Sequence, residues 1–463
     1  MEYRSCRFIE HGIYFKYNAE GSISVKHCCN MDAEKESEQA IIQKVRNLDE
    51  INWDNVFEQK RIMRENAKKG IYHPVCQKCW EIVPLECDCE DYLSEITFAH
   101  IMRCNSRCIY CSIGTDKQLY NSKQIFSMLP LIKKLMSENL IRFNGSLRYM
   151  GGEPTLMSDF EEITDLFVEN GVQEIYLPSS GIKYSKATER ACQKIDKCEI
   201  FISIDSGCPE TYRKIKGIDA YKPVLNSLKN YAKNRKTKGQ DIISKYIVLP
   251  YYNDNTAEID KWIKESKKAG LTMLAPDAEQ TYISDCTKQR YLKHVFNVLQ
   301  YAIGKIREND LKCVEVVYLK MLNNWVSENY KTFFNDSSGE ICDIDISDMT
   351  TENIKEEIDR IIEKYSVWNK PVLNLKSEKE ITEYKDFEKI LYECMLNGFK
   401  IILTTNGRKK SQMTEEALKI ADISVNVSKR GRYAEHYRKI YPEKVKIFDE
   451  KNVILKFLDL FKK

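Results

Sequence analysis

Apolar and polar side chains take turns along Ile13-Tyr14-Phe15-Lys16-Tyr17 and again along Ser22-Ile23-Ser24-Val25-Lys26, with Asn18-Ala19-Glu20-Gly21 between the two runs. That period of two, broken by turn-forming residues, predicts a β-hairpin. The second strand delivers His27-Cys28-Cys29, and a charged, mainly helical insert follows over about 33–69. From Glu95 the pattern changes to short apolar strands alternating with amphipathic helices, which is the signature of a parallel sheet built from βα units. Strands are predicted over 95–101, 147–150, 174–177, 199–204, 245–249 and 271–274. The intervening helices fall over 122–140, 159–170 and about 186–195. Residues 276–335 are helical by period, with Leu292, Val295, Val298, Leu299 and Ile303 on one apolar face, a stripe assigned to core packing and no chemistry.

Beyond a turn-rich linker at Asn335-Asp336-Ser337-Ser338-Gly339, a second α/β region contains an internal echo of the first. Asp386-Phe387-Glu388 through Asn397-Gly398, then Thr404-Thr405-Asn406-Gly407, parallels Asp159-Phe160-Glu161 through Asn170-Gly171, then Ser179-Ser180-Gly181. Tyr437-Arg438-Lys439-Ile440 likewise matches Tyr212-Arg213-Lys214-Ile215, at a separation of about 225 residues. The pattern therefore divides the chain into a cysteine-rich unit over 1–94, a parallel α/β unit with a helical extension over 95–335, and an α/β domain over 341–463 that repeats part of its predecessor. The copy has Lys376-Ser377-Glu378-Lys379 where the first has Gly151-Gly152-Glu153-Pro154, and it lacks close-set cysteines.

Composition narrows the class. With 463 residues and 43% hydrophobic content the chain can fill well-packed cores. Lys+Arg 72 against Asp+Glu 69 leaves a formal charge of +3, so the overall balance gives no support to a nucleic-acid or membrane partner. The first residues carry no apolar targeting segment and no run is long enough to span a bilayer, which predicts a cytoplasmic protein. Seventeen cysteines in a reducing compartment are then expected to bind metal rather than to pair as disulfides.

The densest chemistry lies in Arg103-Cys104-Asn105-Ser106-Arg107-Cys108-Ile109-Tyr110-Cys111, directly after a predicted strand. Iron–sulfur clusters usually take four cysteine ligands. Three thiols at C-x3-C-x2-C can hold three irons of a cubane and leave one open for a substrate or cofactor. The other reading of three close cysteines is a structural zinc knuckle, which normally takes four ligands. Some forty residues on, the strand over 147–150 runs into Gly151-Gly152-Glu153-Pro154. Glycines there let backbone approach a ligand closely, and a carboxylate beside exposed N–H groups suits a zwitterionic amino acid.

These two motifs resemble those of the radical SAM superfamily. The resemblance implies a partial (β/α)6 TIM-type barrel and a 4Fe-4S cluster on Cys104, Cys108 and Cys111, with S-adenosylmethionine chelated at the open iron. It further implies that Gly151, Gly152 and Glu153 hold the methionine amino group. Ser179, Ser180, Ser203 and Asp205 are implied to contact its carboxylate and the ribose hydroxyls, and the backbone of Tyr110 the adenine edge. The family's chemistry requires an electron donor of the flavodoxin or ferredoxin kind, and forms a 5′-deoxyadenosyl radical that takes hydrogen from a substrate. In a parallel barrel, ligands gather at the C-terminal ends of the strands, where all these motifs fall.

The N-terminal cysteines Cys28 or Cys29, Cys76, Cys79, and Cys87 or Cys89 supply enough thiols for a closed four-ligand site. They resemble the cysteine-rich SPASM or twitch hairpin modules attached to many members of the family, although those commonly follow the barrel. A second 4Fe-4S cluster and a structural zinc site both fit the C-x2-C spacing. The expected substrate is a peptide, a protein or a sugar-type small molecule. The competing expectations are a zinc-stapled binding protein without catalysis, and a transferase moving groups from S-adenosylmethionine.

Overall fold

The computed structural model describes residues 2–18, 20–28, 41–77, 79, 81–99, 103–115, 127–236, 241–279, 281–285, 287–329, 333, 337–365, 367, 369–428 and 431–448. The predicted ligand Cys29, and the start of the helix expected over 122–140, lie outside them. The chain divides into two compact units, one of residues 1–246 and 262–274, the other of residues 247–261 and 275–463.

The first unit begins with β1 (Arg4–Ser5), the helix Arg7–His11, and the hairpin β2 (Gly12–Tyr17) and β3 (Ile23–Lys26). A third strand, β4 (Ile41–Val45), pairs antiparallel with β3 inside the segment expected to be helical. Ile41-Ile42-Gln43-Lys44-Val45 is rich in β-branched residues, and an available sheet edge outweighs the helical tendency of its charged surroundings. The helix of the insert is confined to Trp53–Lys68, and β5 (Val83–Pro84) pairs with β1.

Next come β6 (Leu93–Ala99), β7 (Ile141–Tyr149), β8 (Glu174–Ser179), β9 (Lys197–Ser203) and β10 (Ile242–Val248). Neighbouring strands of this series pair in parallel. The N-terminal hairpin is continuous with them, because β2 pairs in parallel with β6. The strand order is β10-β9-β8-β7-β6-β2-β3-β4. Helices Leu129–Ser137, Phe160–Glu169, Lys186–Lys194, Pro209–Lys216 and Tyr221–Asn234 follow the strands. A sixth strand of the βα series, β11 (Met273–Ala278), lies at the boundary between the units.

This is an α/β fold dominated by parallel pairing. Sheets of that kind are buried on both faces, so their strands carry few exposed side chains. One face is apolar: Ile96 and Phe98, Leu147 and Tyr149, Ile175 and Leu177, and Ile200 and Ile202 are all buried. The alternate positions bear a polar network. Arg7 and Arg148 donate to the two carboxylate oxygens of Glu174 at 2.7 and 2.9 Å, and Ser146 donates to Glu95.

The second unit contains β12 (Lys312–Cys313) and the helices Leu292–Glu308 and Val317–Glu328. It then forms a five-stranded sheet of β13 (Ser337–Asp345), β14 (Lys370–Lys376), β15 (Ile401–Thr405), β16 (Ile423–Ser428) and β17 (Val445–Phe448), parallel and in sequential order. Part of the expected linker, from Ser337, is thus a strand. Helices Thr351–Tyr365, Phe387–Leu396, Gln412–Ile420 and Ala434–Ile440 alternate with these strands. Among the described residues no helix is long and apolar enough to cross a membrane.

Candidate active site

β6 leads toward the loop that carries Cys104, Cys108 and Cys111, all three partly buried. The loop is held through its backbone. Glu153 N–H donates to the Arg103 carbonyl at 2.9 Å, so the segment after β7 grips one end. Arg107 and Ile109 N–H donate to the carbonyls of Lys216 and Ile215 at 2.8 and 3.0 Å, so the end of the helix Pro209–Lys216 grips the other. Between them, the Ser180 hydroxyl after β8 donates to Asn105 Oδ1 at 2.9 Å.

Gly217 is required by this arrangement. Its φ is +66°, and a Cβ there would lie 3.0 Å from Arg107 Cβ and 3.1 Å from the Arg107 carbonyl oxygen. Gly217→Ala should therefore cost about 1–2 kcal/mol from the left-handed backbone alone, and shift the cysteine loop as well. Denaturant unfolding measures the first effect and retention of reconstituted iron the second.

Behind Gly151 (φ +92°) and Gly152, Glu153 is buried, with a carboxylate already engaged. One oxygen accepts from the Thr155 hydroxyl at 2.6 Å, Thr155 N–H at 3.2 Å and the Ser179 hydroxyl at 2.9 Å. The other accepts from Ser180 N–H at 2.5 Å. The Glu153 side chain thus joins the end of β7 to the end of β8, while its backbone joins both to the cysteine loop.

Asp205 follows β9 with φ +51° and is fully buried. Its Oδ2 pairs with Lys216 Nζ and accepts from the Tyr110 hydroxyl at 2.5 Å, and Lys216 also donates to that hydroxyl at 2.8 Å. Burial disfavours the Lys216 ammonium, but Asp205 beside it prevails and holds its pKa well above the ordinary lysine value. Burial, with Asp205 adding to it, drives the Tyr110 phenol well upward. Ser203, at the end of β9, is partly buried. The structure therefore brings Tyr110, Asp205 and the cysteine loop together through Lys216.

The donor set suits an iron–sulfur cluster. Burial lifts the Cys104 thiol to about 12, with Glu153, Cys108 and Cys111 adding to it. Burial also raises Cys108, against the pull of Lys216. Neutral thiols of this kind lose their protons when metal binds. Ser106, between the first two cysteines, has a buried hydroxyl without a hydrogen-bond partner among the described residues.

At the N-terminus, Cys28, Cys76 and Cys79 line one small pocket, and Cys6 joins them. Cys87 and Cys89 do not line it: their sulfurs lie 3.7 Å from each other, and the Cys87 thiol neighbours Tyr3 and Glu10. Lys60, fully buried and donating to the Phe8 carbonyl at 3.0 Å, has its pKa lowered to about 7 by burial and Arg64, while Cys6 and Cys28 oppose the shift.

Lys216, Asn105, Thr155 and Cys6 were not anticipated from the sequence. A lysine in the last turn of a helix reads as a solvated charge. Cys6 has no neighbour at a metal-binding spacing.

Residues 98–263 match the radical SAM superfamily domain. The GTP 3′,8-cyclase of Pasteurella multocida is 30% identical over 126 residues, which cover 27% of this chain and 37% of that protein. The GTP 3′,8-cyclase of Mannheimia succiniciproducens is 26% identical over 168 residues, 35% of this chain and 47% of that protein. The chain thus spans about half or less of the length of these curated relatives. Among solved structures, Streptococcus suis SuiB bound to S-adenosylmethionine aligns over 78% of this chain and 79% of that one, at a TM-score of 0.40 and 10% identity.

Proposed function

We propose that this chain, a member of the radical SAM superfamily through residues 98–263, reductively cleaves S-adenosylmethionine and directs the resulting radical at a C–H bond of a peptide, protein or sugar-type substrate. The observation that carries the reading is the convergence on one loop of three partly buried thiols, the segment that follows Gly151-Gly152, and Ser180 after β8. The cluster and its bound S-adenosylmethionine supply the electron transfer and bond cleavage; the protein supplies binding, orientation and exclusion of water.

In this reading Cys104, Cys108 and Cys111 ligate the cluster. The backbone at Gly151 and Gly152 approaches the methionine amino group, and the hydroxyls of Ser180 and Ser203 lie at the strand ends where a carboxylate and a ribose need partners. Asp205 and Glu153, engaged by neighbouring side chains and backbone, set the shape of that surface by positioning Tyr110, Ser179 and Ser180. A flavodoxin-like or ferredoxin-like protein supplies the electron. The N-terminal thiols form a second metal module that assists turnover, and the C-terminal domain, a degenerate repeat without a cysteine triad, serves substrate or partner binding.

The likeness to the GTP 3′,8-cyclases covers less than half of those proteins and is silent on GTP as a substrate. The test is direct. Chain reconstituted anaerobically with iron and sulfide should convert S-adenosylmethionine to 5′-deoxyadenosine and methionine when dithionite is added. Methylthioadenosine in place of 5′-deoxyadenosine would shift the assignment to group transfer, and no cleavage at all would end it.

A further inference from the structure

The N-terminal unit gathers four thiols from segments far apart in the chain. Cys6 caps the helix Arg7–His11, and its sulfur accepts Ile9 N–H at 3.4 Å. Cys28 follows β3, Cys76 sits in the short helix Pro74–Gln77, and Cys79 N–H donates to the Cys76 carbonyl at 3.2 Å. All four line the same pocket, whose remaining walls include Phe8, Val75 and Ile82. Cys6 and Cys76 belong to its buried apolar cluster, and Cys28 packs against that cluster. Cys87 and Cys89 belong to a different, more exposed place beside Tyr3.

We propose that Cys6, Cys28, Cys76 and Cys79 form a closed four-thiolate site for an iron–sulfur cluster, with Cys6 taking the place that spacing alone had given to Cys87 or Cys89. The proposal rests on the reading of the N-terminal unit as a second metal module and names its ligands.

Three features favour this set. Four thiolates are the complement that a coordinatively closed cluster takes. Phe8, Ile9, Val75 and Ile82, which share the lining with His27 and Glu81, shield a charged group from water, as cluster stability and potential demand. Cys6 also receives a backbone N–H bond of the same 3.4 Å length as that from Ser106 to Cys104, and such bonds to sulfur tune cluster potential.

Four thiolates also suit a structural zinc, so iron and sulfide content decides between the two.

The experiment isolates the N-terminal site by replacing Cys104, Cys108 and Cys111 with Ala, then reconstituting the full chain anaerobically with iron and sulfide. Iron and sulfide per chain are measured, with an electron paramagnetic resonance spectrum after reduction. About four of each should remain, the content of one [4Fe–4S] cluster. Adding Cys6→Ala or Cys76→Ala should remove most of that iron, while adding Cys87→Ala with Cys89→Ala should leave it. Cys6→Ser, which keeps a weaker ligand, should retain iron with a changed spectrum, separating loss of a ligand from loss of the fold.

Full iron and an unchanged spectrum in the Cys6 variants would overturn the ligand assignment while preserving the second module. Zinc recovered in place of iron from the triple variant as purified, and not displaced on reconstitution, would overturn the cluster. No bound metal in that variant would overturn the module itself.

Discussion

Replacement of Cys104, Cys108 and Cys111 together by Ala should reduce 5′-deoxyadenosine formation to background while the chain stays folded and keeps its N-terminal iron. The two halves of that expectation have separate physical grounds. Activity requires thiolates on iron, and among the described residues Cys208 neighbours Thr211 while Cys192 and Cys198 are buried against each other. Stability does not require the thiols, because the loop is anchored by backbone bonds from Glu153, Arg107 and Ile109 and by the Ser180 hydroxyl. Truncating three partly exposed side chains therefore leaves the anchors intact, and circular dichroism should be unchanged. Cleavage that persists at the unsubstituted rate would refute the placement of the cofactor on this loop.

The largest effect on stability should come from the buried pair beneath that loop. Asp205 and Lys216 are both almost wholly inaccessible, and Tyr110 shares their contact. Removing one member of a buried pair strands the other charge, at a cost of about 3–5 kcal/mol, whereas replacing both with apolar groups is often close to neutral. Asp205→Ala should thus lower unfolding free energy by that amount, and Asp205→Ala with Lys216→Met should regain most of it. A single variant as stable as the parent would show that the two groups do not form the pair.

The pH dependence has a definite sign. Because the folded-state pKa of Lys216 lies above its unfolded value, its contribution is complete below the unfolded pKa of about 10.4 and is lost only as pH rises through the folded one. Titration from roughly pH 6 to 9 should leave the Lys216 contribution untouched. Loss of 5′-deoxyadenosine formation in the double variant, with stability restored, would assign the pair a positioning role for Tyr110 and the cysteine loop.

Periodicity carried the parallel sheet well. Runs such as Leu147-Arg148-Tyr149 and Glu174-Ile175-Tyr176-Leu177 alternate because one face meets the helices and the other carries Arg148 and Glu174, and a two-sided demand of this kind is visible locally. The cysteine loop and Gly151-Gly152 were legible because their residue types have few other uses at that spacing. What depended on distant segments was not. β4 is a strand because β3 offers it an edge, and Lys216 is buried because Asp205 awaits it across a turn. Cys6 stands apart in the chain and meets its neighbours only after the hairpin folds.

The C-terminal α/β domain holds a carboxylate with the same kinds of partner as Glu153. Glu380 accepts from the Thr382 hydroxyl at 2.7 Å, Thr382 N–H at 3.2 Å and Asn406 N–H at 2.7 Å, and from the Thr405 hydroxyl. This is the pattern of Glu153 with Thr155, Ser179 and Ser180. The position corresponding to Glu153 is therefore Glu380, beyond Lys376-Ser377-Glu378-Lys379, because the offset is slightly longer here than at Tyr437. That a carboxylate keeps these partners in a domain lacking the cysteine triad supports reading Glu153 as a tie between strand ends rather than a ligand-facing group.

The parallel pairing of β2 with β6 has a further meaning for electron traffic. Cys28 leaves β3, which is hydrogen-bonded to β2, and the loop of Cys104 lies beyond β6. Because β3 runs antiparallel to β2, and β2 parallel to β6, the two sulfur-rich places leave opposite ends of one sheet, so any tunnelling path between them would run along the strands and its length would be set by the fold rather than by a hinge.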